Sequence, residues 1–276
     1  MIEITCHKGT EANVNSFILS DNENIIVVDM LRNSTEAELL ADKVEKTNKN
    51  LHCIFITHGH ADHYIGLGAF HRRFPHAPIM VATEEIKQDI IQFSLWMESI
   101  GWLDAEPHMK VKTDKNPDGF DYTNLLTVLD TPFLKLPNDE NIIKVRADYP
   151  GSECGHIATL EIHEQKVFIA SDLIYDKVHT WCGPGVSEQE INNWILILDG
   201  LLVQYDNNWT FYAGHGGNGD VSLITALQDY LRKFLKVTSS AMSKQEAIDK
   251  MKSLFPSFGQ EDFLLVHSID FHVIES

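Results

Sequence analysis

Three imidazoles and one carboxylate stand within six positions of the stretch Thr57-His58-Gly59-His60-Ala61-Asp62-His63. Neutral imidazole nitrogen and carboxylate oxygen are the donors that borderline divalent ions such as zinc prefer. His58 and His60, alternating on a tight turn, can converge on one ion while Asp62 and His63 face another. A solvated, histidine-rich loop is the bland alternative. Against it, the cluster follows directly on the apolar run at 51–56 and precedes a helix-like stretch, so that a rigid strand end presents all four side chains together.

Three more candidate ligands sit at the edges of predicted strands: His156 in Glu153-Cys154-Gly155-His156, Asp172 in Ala170-Ser171-Asp172, and His215 in Gly214-His215-Gly216-Gly217. Strand ends are where a sheet can hold out ligands. Glycines beside His156 and His215 suit a backbone that turns sharply to aim an imidazole. Taken singly, each of the three reads as a turn histidine or a surface aspartate. Cys154 reads as a structural thiol.

The elements that must position these groups are legible from patterning. Apolar runs at 2–5, 14–19, 25–30 and 51–56 predict strands of a meander, with the turn-forming Asp21-Asn22-Glu23-Asn24 between the second and third. Ala37, Leu40, Ala41 and Val44 predict a helix over 34–49 with Ser34 as its N-cap. A helix over 61–74 and a buried strand at 79–82 should follow. Residues 83–103 carry Ile86, Ile90, Phe93 and Met97 at helical spacing, with Trp96 and Trp102 in addition; a core-facing helix and a pocket wall or lid both fit. Strands resume at 125–129, 142–147, 157–162, 167–170 and 209–213. Ser187 with Glu190 and Ser243 with Glu246 form capping boxes ahead of two later helices.

The formal charge of −18 speaks against nucleic acid or an anionic membrane as partner, since both demand a basic surface. Cys6, Cys53, Cys154 and Cys182 are widely separated, which predicts reduced thiols and no disulfide framework. A start lacking both a basic region and a long apolar stretch, and the absence of an apolar span of membrane length, predict a cytoplasmic protein.

In order and type, the seven candidate ligands resemble those of the metallo-β-lactamase superfamily, whose H-x-H-x-D-H signature residues 58–63 match at every defined position. The resemblance covers residues 1–220 and is closest in kind to lactonase and hydroxyacylglutathione-hydrolase members. It implies the α/β (α+β) class and a four-layer αββα sandwich with metals at one edge of two packed sheets. It further implies His58, His60 and His156 on a first ion, Asp62, His63 and His215 on a second, and Asp172 bridging. The implied cofactors are two divalent ions, zinc first, with iron or manganese as alternatives. Tyr175 lies three residues after Asp172, a spacing at which the family's acyl-homoserine lactonases use a tyrosine near the substrate carbonyl. The residues alone say that a phenol can sit near Asp172 or pack in the core. Ile157-Ala158-Thr159 follows His156 where many hydrolytic members carry a Thr/Ser-Pro-Gly turn, and the stretch between His63 and His156 is long. We therefore expect a single domain over 1–276, with 83–121 an insertion and 221–276 a helical C-terminal extension.

Paired ions can generate a hydroxide at neutral pH and polarise a carbonyl or phosphoryl oxygen. Asp62 can orient that hydroxide and move its proton toward the leaving group. Tyr175 can serve as oxyanion donor or leaving-group acid. The first expectation is a dinuclear metal-dependent hydrolase acting on an ester, lactone or thioester of a small molecule through a metal-bridging hydroxide. Phosphodiester or nucleic-acid hydrolysis, iron-dependent redox chemistry on the same fold, and a non-catalytic metal-binding sensor are the alternatives. His179 and Trp181 should lie near the same rim, His179 as a substrate contact or a solvated loop residue. Phe93, Trp96 and Trp102 suit an acyl-binding wall or the surface of a homodimer.

Overall fold

The computed structural model describes residues 1–274, and among them the strands belong to two sheets. Two compact units interleave along the sequence: Met1–Ala147 with Ala158–Gln165, and Asp148–Ile157 with the residues from Lys166 onward.

In the first unit, β1 (Glu3–Lys8), β2 (Asn15–Ser20) and β3 (Asn24–Val28) form an antiparallel meander from three of the four predicted runs, while the run at 51–56 joins it in parallel instead. Every residue of β2 and β3 is buried. The sheet then turns parallel, from β3 through β4 (Asn50–Ile56) and β5 (Ile79–Val81) to β6 (Leu126–Val128). Parallel neighbours need a crossover between them, and α1 (Ser34–Lys46) supplies it between β3 and β4. Ala37, Leu40, Ala41 and Val44 of α1 are buried as their spacing requires. Its N-cap, however, is Asn33, whose Oδ1 accepts the Glu36 N–H at 2.9 Å. The Ser34 hydroxyl instead donates to the Glu106 carboxylate at 2.6 Å.

The predicted helix over 61–74 is two short ones, α2 (Ala61–Tyr64) and α3 (Leu67–Arg73). The break comes where the backbone is drawn elsewhere: Met30 N–H donates to the His63 carbonyl at 2.7 Å and Gly66 N–H to the Leu31 carbonyl at 3.2 Å. α4 (Glu84–Ser99) buries Ile86, Ile90, Ser94 and Met97. Ser94 takes the inward place expected of Phe93 because its hydroxyl meets the buried Tyr64 phenol at 2.8 Å. After α5 (Tyr122–Leu125), β7 (Phe133–Leu134), β8 (Ile143–Arg146) and β9 (Thr159–Ile162) form an antiparallel ladder.

The second unit is built on β10 (Val167–Tyr175), which runs on past the apolar stretch at 167–170, parallel to β11 (Thr210–His215). A short β12 (Asn218–Gly219) pairs antiparallel with β11. α6 (Glu188–Gln204) makes the crossover and starts at the expected Ser187–Glu190 capping box; its Trp194 indole donates to the Leu173 carbonyl at 3.0 Å. α7 (Ser222–Thr238), α8 (Lys244–Leu254) and α9 (Val266–His272) account for the helical C-terminal stretch. Ser243 caps α8, but Glu246 reaches the Met242 N–H rather than that of Ser243, so only half of the second box forms. Among the described residues no helix is long and apolar enough to cross a membrane.

His179 is neither a solvated loop residue nor a rim group, because it is fully buried, with Nδ1 3.0 Å from the Tyr230 hydroxyl and its ring 5.6 Å from Phe258.

Two outcomes follow from these details. Asn33→Ala should cost about 1 kcal/mol in urea unfolding through loss of the cap, whereas Asn33→Asp should retain it. Burial pushes the His179 imidazole down to about 4, while an unfolded histidine titrates near ~6.5. Between those values the unfolded chain holds a proton that the folded chain refuses, so stability should fall as pH drops through this window. Burial lowers His272 in the same direction. Urea midpoints measured across the window should decline less steeply in His179→Gln than in the wild type.

Candidate metal centre

Asp29 follows β3 and Thr57 follows β4. These strands are parallel neighbours with Val28 opposite Phe55, so their carboxyl ends lie side by side, where open parallel sheets present ligand-binding groups. Asp29 has φ of 61°, a left-handed conformation that aspartate enters more readily than most residues. Its carboxylate accepts the Thr57 N–H at 2.9 Å and the Thr57 hydroxyl at 2.8 Å, and pairs with His63 Nδ1 at 2.8 Å. His58 Nδ1 in turn lies 3.0 Å from Thr57 Oγ1. Engaging Nδ1 in this way fixes the ring and would present Nε2 to an ion, the usual support behind a metal-bound histidine.

His58 and His63 are fully buried, while His60 and Asp62 are partly exposed. The His58 ring centroid is 4.8 Å from that of His60 and 4.2 Å from that of His63. Ligand atoms of His58 and His60 lie within 4.8 Å of each other, as do those of Asp62 and His63. The loop thus brings together all four residues that the sequence singled out.

α4 passes directly over this turn. A Cβ on Gly59 would stand 2.9 Å from the Asp89 Cβ and 3.1 Å from the Ile90 backbone nitrogen, so only glycine permits the approach. The packing sets Phe93 6.1 Å from His60, stacks Trp96 on Phe93 at 5.2 Å, and places Trp102 5.2 Å from Trp96. Trp96 and Trp102 are 46% and 45% exposed. The segment at 83–121 therefore borders the histidine loop with a row of aromatic rings.

In the second unit, Asp172 lies on β10 and His215 at the end of β11, again parallel neighbours. The β10 register slips between Ile169 and Ser171 and again before Tyr175, and Ser171 has φ of 49°. Such irregularities re-aim a side chain out of a regular strand. Gly214 makes the room: a Cβ there would fall 1.9 Å from Asp172 Oδ1. His215 Nε2 is 3.1 Å from Asp172 Oδ2. The Tyr175 hydroxyl lies 2.8 Å from Asp172 Oδ2 and 3.1 Å from Glu153 Oε1, and its ring stacks on His215 at 4.7 Å.

Here the arrangement departs from the sequence reading. His156 is exposed. Glu153, not singled out beforehand, is fully buried, with a carboxylate oxygen within 4.8 Å of that of Asp172. A lone glutamate in Ser152-Glu153-Cys154 carries no periodic or motif signal. Asp29 also escaped notice, because it ends an apolar run in the manner of any turn residue.

Asp29 and Asp172 are buried carboxylates set beside the buried imidazoles of His63 and His215, and Glu153 is a third buried carboxylate. Their charges are costly to bury unless a cation answers them, and the mixed oxygen and nitrogen donors fit divalent ions. Burial pushes the Cys53 and Cys182 thiols up to about 12, which keeps them protonated and leaves them as packing groups.

Comparisons with known proteins agree with this chemistry. The model of the metallo-beta-lactamase superfamily matches residues 9–215. A hydroxyacylglutathione hydrolase 1 of Vibrio vulnificus is 37% identical over 65 residues, a match spanning 24% of this chain and 25% of that enzyme. A probable metallo-hydrolase of Streptococcus pyogenes is 22% identical over 74% of this chain and 80% of its own length. Among solved structures, a metallo-beta-lactamase family protein from Thermus thermophilus superposes with a TM-score of 0.66 at 18% identity, covering 98% of this chain and 92% of that one. A metallo-beta-lactamase from Pontibacter korlensis gives 0.56 at 17% identity, over 84% of this chain and 99% of its own. At these identities the structures speak for the fold.

Because Asp29 orients His63 and, through Thr57, His58, its conversion to asparagine should weaken divalent-metal affinity about 10- to 100-fold. Competition with a chromophoric chelator measures this, and an unchanged affinity would remove Asp29 from the site.

Proposed function

Since the chain belongs to the metallo-beta-lactamase superfamily, we propose that it is a metal-dependent hydrolase of an ester, lactone or thioester of a small molecule, working with two divalent ions. His58 and His60 would hold one ion and Asp62, His63 and His215 the other, with Asp172 serving both and one further donor coming from the loop at 151–156. The observation that carries this reading is the oriented pair His58 and His63, whose Nδ1 atoms are engaged by Thr57 and Asp29. Zinc suits a site dominated by imidazoles, with iron or manganese as alternatives. When bound, such a pair supplies Lewis acidity toward a carbonyl oxygen and lowers the pKa of water toward neutrality.

The protein's own groups do the rest. Asp62, partly exposed beside the buried His63, would accept a proton from attacking water and return it to the leaving group. The Tyr175 phenol is engaged with two carboxylates and its ring with His215. It can donate to a developing oxyanion only by releasing that contact, so its first task is to hold Asp172 and His215 in place. The row Phe93, Trp96 and Trp102, starting beside His60, offers a wall for an apolar acyl or aryl group. This wall and the net charge of −18 favour a small apolar substrate over a polyanion. The stretch of 37% identity to a hydroxyacylglutathione hydrolase supports the thioester end of the range.

Metal analysis of the purified protein should find two zinc equivalents per chain, and turnover of a lactone, ester and thioester panel should disappear in His60→Ala. Phe93→Ala should lower kcat/KM about tenfold on long-chain acyl substrates, near 1.4 kcal/mol, and little on acetyl ones. One iron per chain with oxygen uptake, or preferred cleavage of cyclic diesters or RNA, would sink the proposal.

A further inference from the structure

We infer that Glu153, and not His156, is the donor from the 151–156 loop; the assignment rests on the metal-binding reading above. Three observations within the second unit carry it. Glu153 is fully buried and His156 exposed, only three residues apart, so the loop turns one inward and the other out. The turn is fixed at both ends. Ser152 N–H donates to the Cys154 carbonyl at 3.0 Å, and Asn193 on α6 donates to the Gly151 carbonyl at 3.0 Å. Beyond it, the Cys154 thiol donates to the His156 carbonyl at 3.3 Å.

Glu153 also belongs to a continuous array with two of the other expected ligands. One phenol, that of Tyr175, reaches both the Glu153 and Asp172 carboxylates, and Asp172 lies against His215 Nε2. A single phenolic proton can serve only one of the two carboxylates at a time. Two buried carboxylates with ligand atoms within 4.8 Å repel each other unless a cation or a proton joins them. A divalent cation shared by the two carboxylates would offset that repulsion.

The exchange has a chemical consequence. A carboxylate in place of an imidazole adds a negative charge and a hard oxygen donor, which moves the preference of that ion site toward manganese and iron relative to an all-histidine set.

Chelator-stripped full-length protein, titrated separately with zinc and manganese against a chromophoric competitor, tests the assignment. Glu153→Gln keeps the shape and a contact for Tyr175. It should lose one ion equivalent or bind it more than about 100-fold less tightly, beyond the loss typical of an outer-shell partner. His156→Ala should stay within about threefold of wild type by the same criterion. Glu153→His should recover zinc uptake while losing manganese, a change of selectivity that a merely structural residue would not produce. Wild-type protein that takes up two ions, with loss in His156→Ala and retention in Glu153→Gln, overturns the assignment alone. Wild-type protein that takes up no ion overturns it together with the reading beneath it.

Discussion

The Asp29 carboxylate is the interaction on which the histidine loop depends. One side chain accepts from the backbone and hydroxyl of Thr57 and holds His63 by Nδ1, so it joins the end of β3, the end of β4 and the start of α2 at a single point. The left-handed backbone at Asp29 and at Leu31 keeps the chain close enough for Met30 to bind the His63 carbonyl. Backbone conformations of this kind cost energy and persist where surrounding structure over-determines them. Here the surroundings are the parallel register of β3 and β4 and the buried strands behind them.

The second unit solves the same problem by a different route. It deforms a strand. Slipped register in β10, a left-handed Ser171 and the missing side chain at Gly214 let Asp172 leave the regular pleat and meet His215. Tyr175 then closes the group from behind by stacking on His215 while its hydroxyl reaches the carboxylates. Both units therefore place candidate metal-binding side chains on parallel strand pairs, one with a supporting anion and the other with a bulge.

How much of this was legible depends on whether the signal was local. The H-x-H-x-D-H spacing, the apolar runs of β2 to β4 and the buried stripe of α1 are repeated patterns, and they read correctly. The Ser187–Glu190 box reads correctly for the same reason, since all its partners lie within one turn. Asn33 displaced Ser34 as a cap because Glu106, distant in sequence, claims the Ser34 hydroxyl. Phe93 yielded its inward place to Ser94 because Tyr64 offers a partner for a hydroxyl. Glu153 and His156 differ only in which way a loop turns, and that is decided by Asn193 on a helix far along the chain. In these three cases a long-range polar contact outweighs a short-range pattern.

The interleaving of the two units bears on how the chain is made. Residues 148–157 leave the ribosome before 158–165, yet the first set belongs to the second unit and the later set to the first. Strand β9 must therefore emerge before the first unit is complete, while the neighbouring segment with Glu153 and His156 waits for β10 and α6 to be synthesised. Neither unit is a single continuous stretch of the sequence. The Glu153 carboxylate loop makes its contacts with Tyr175 and Asn193 only once β10 and α6 have been synthesised.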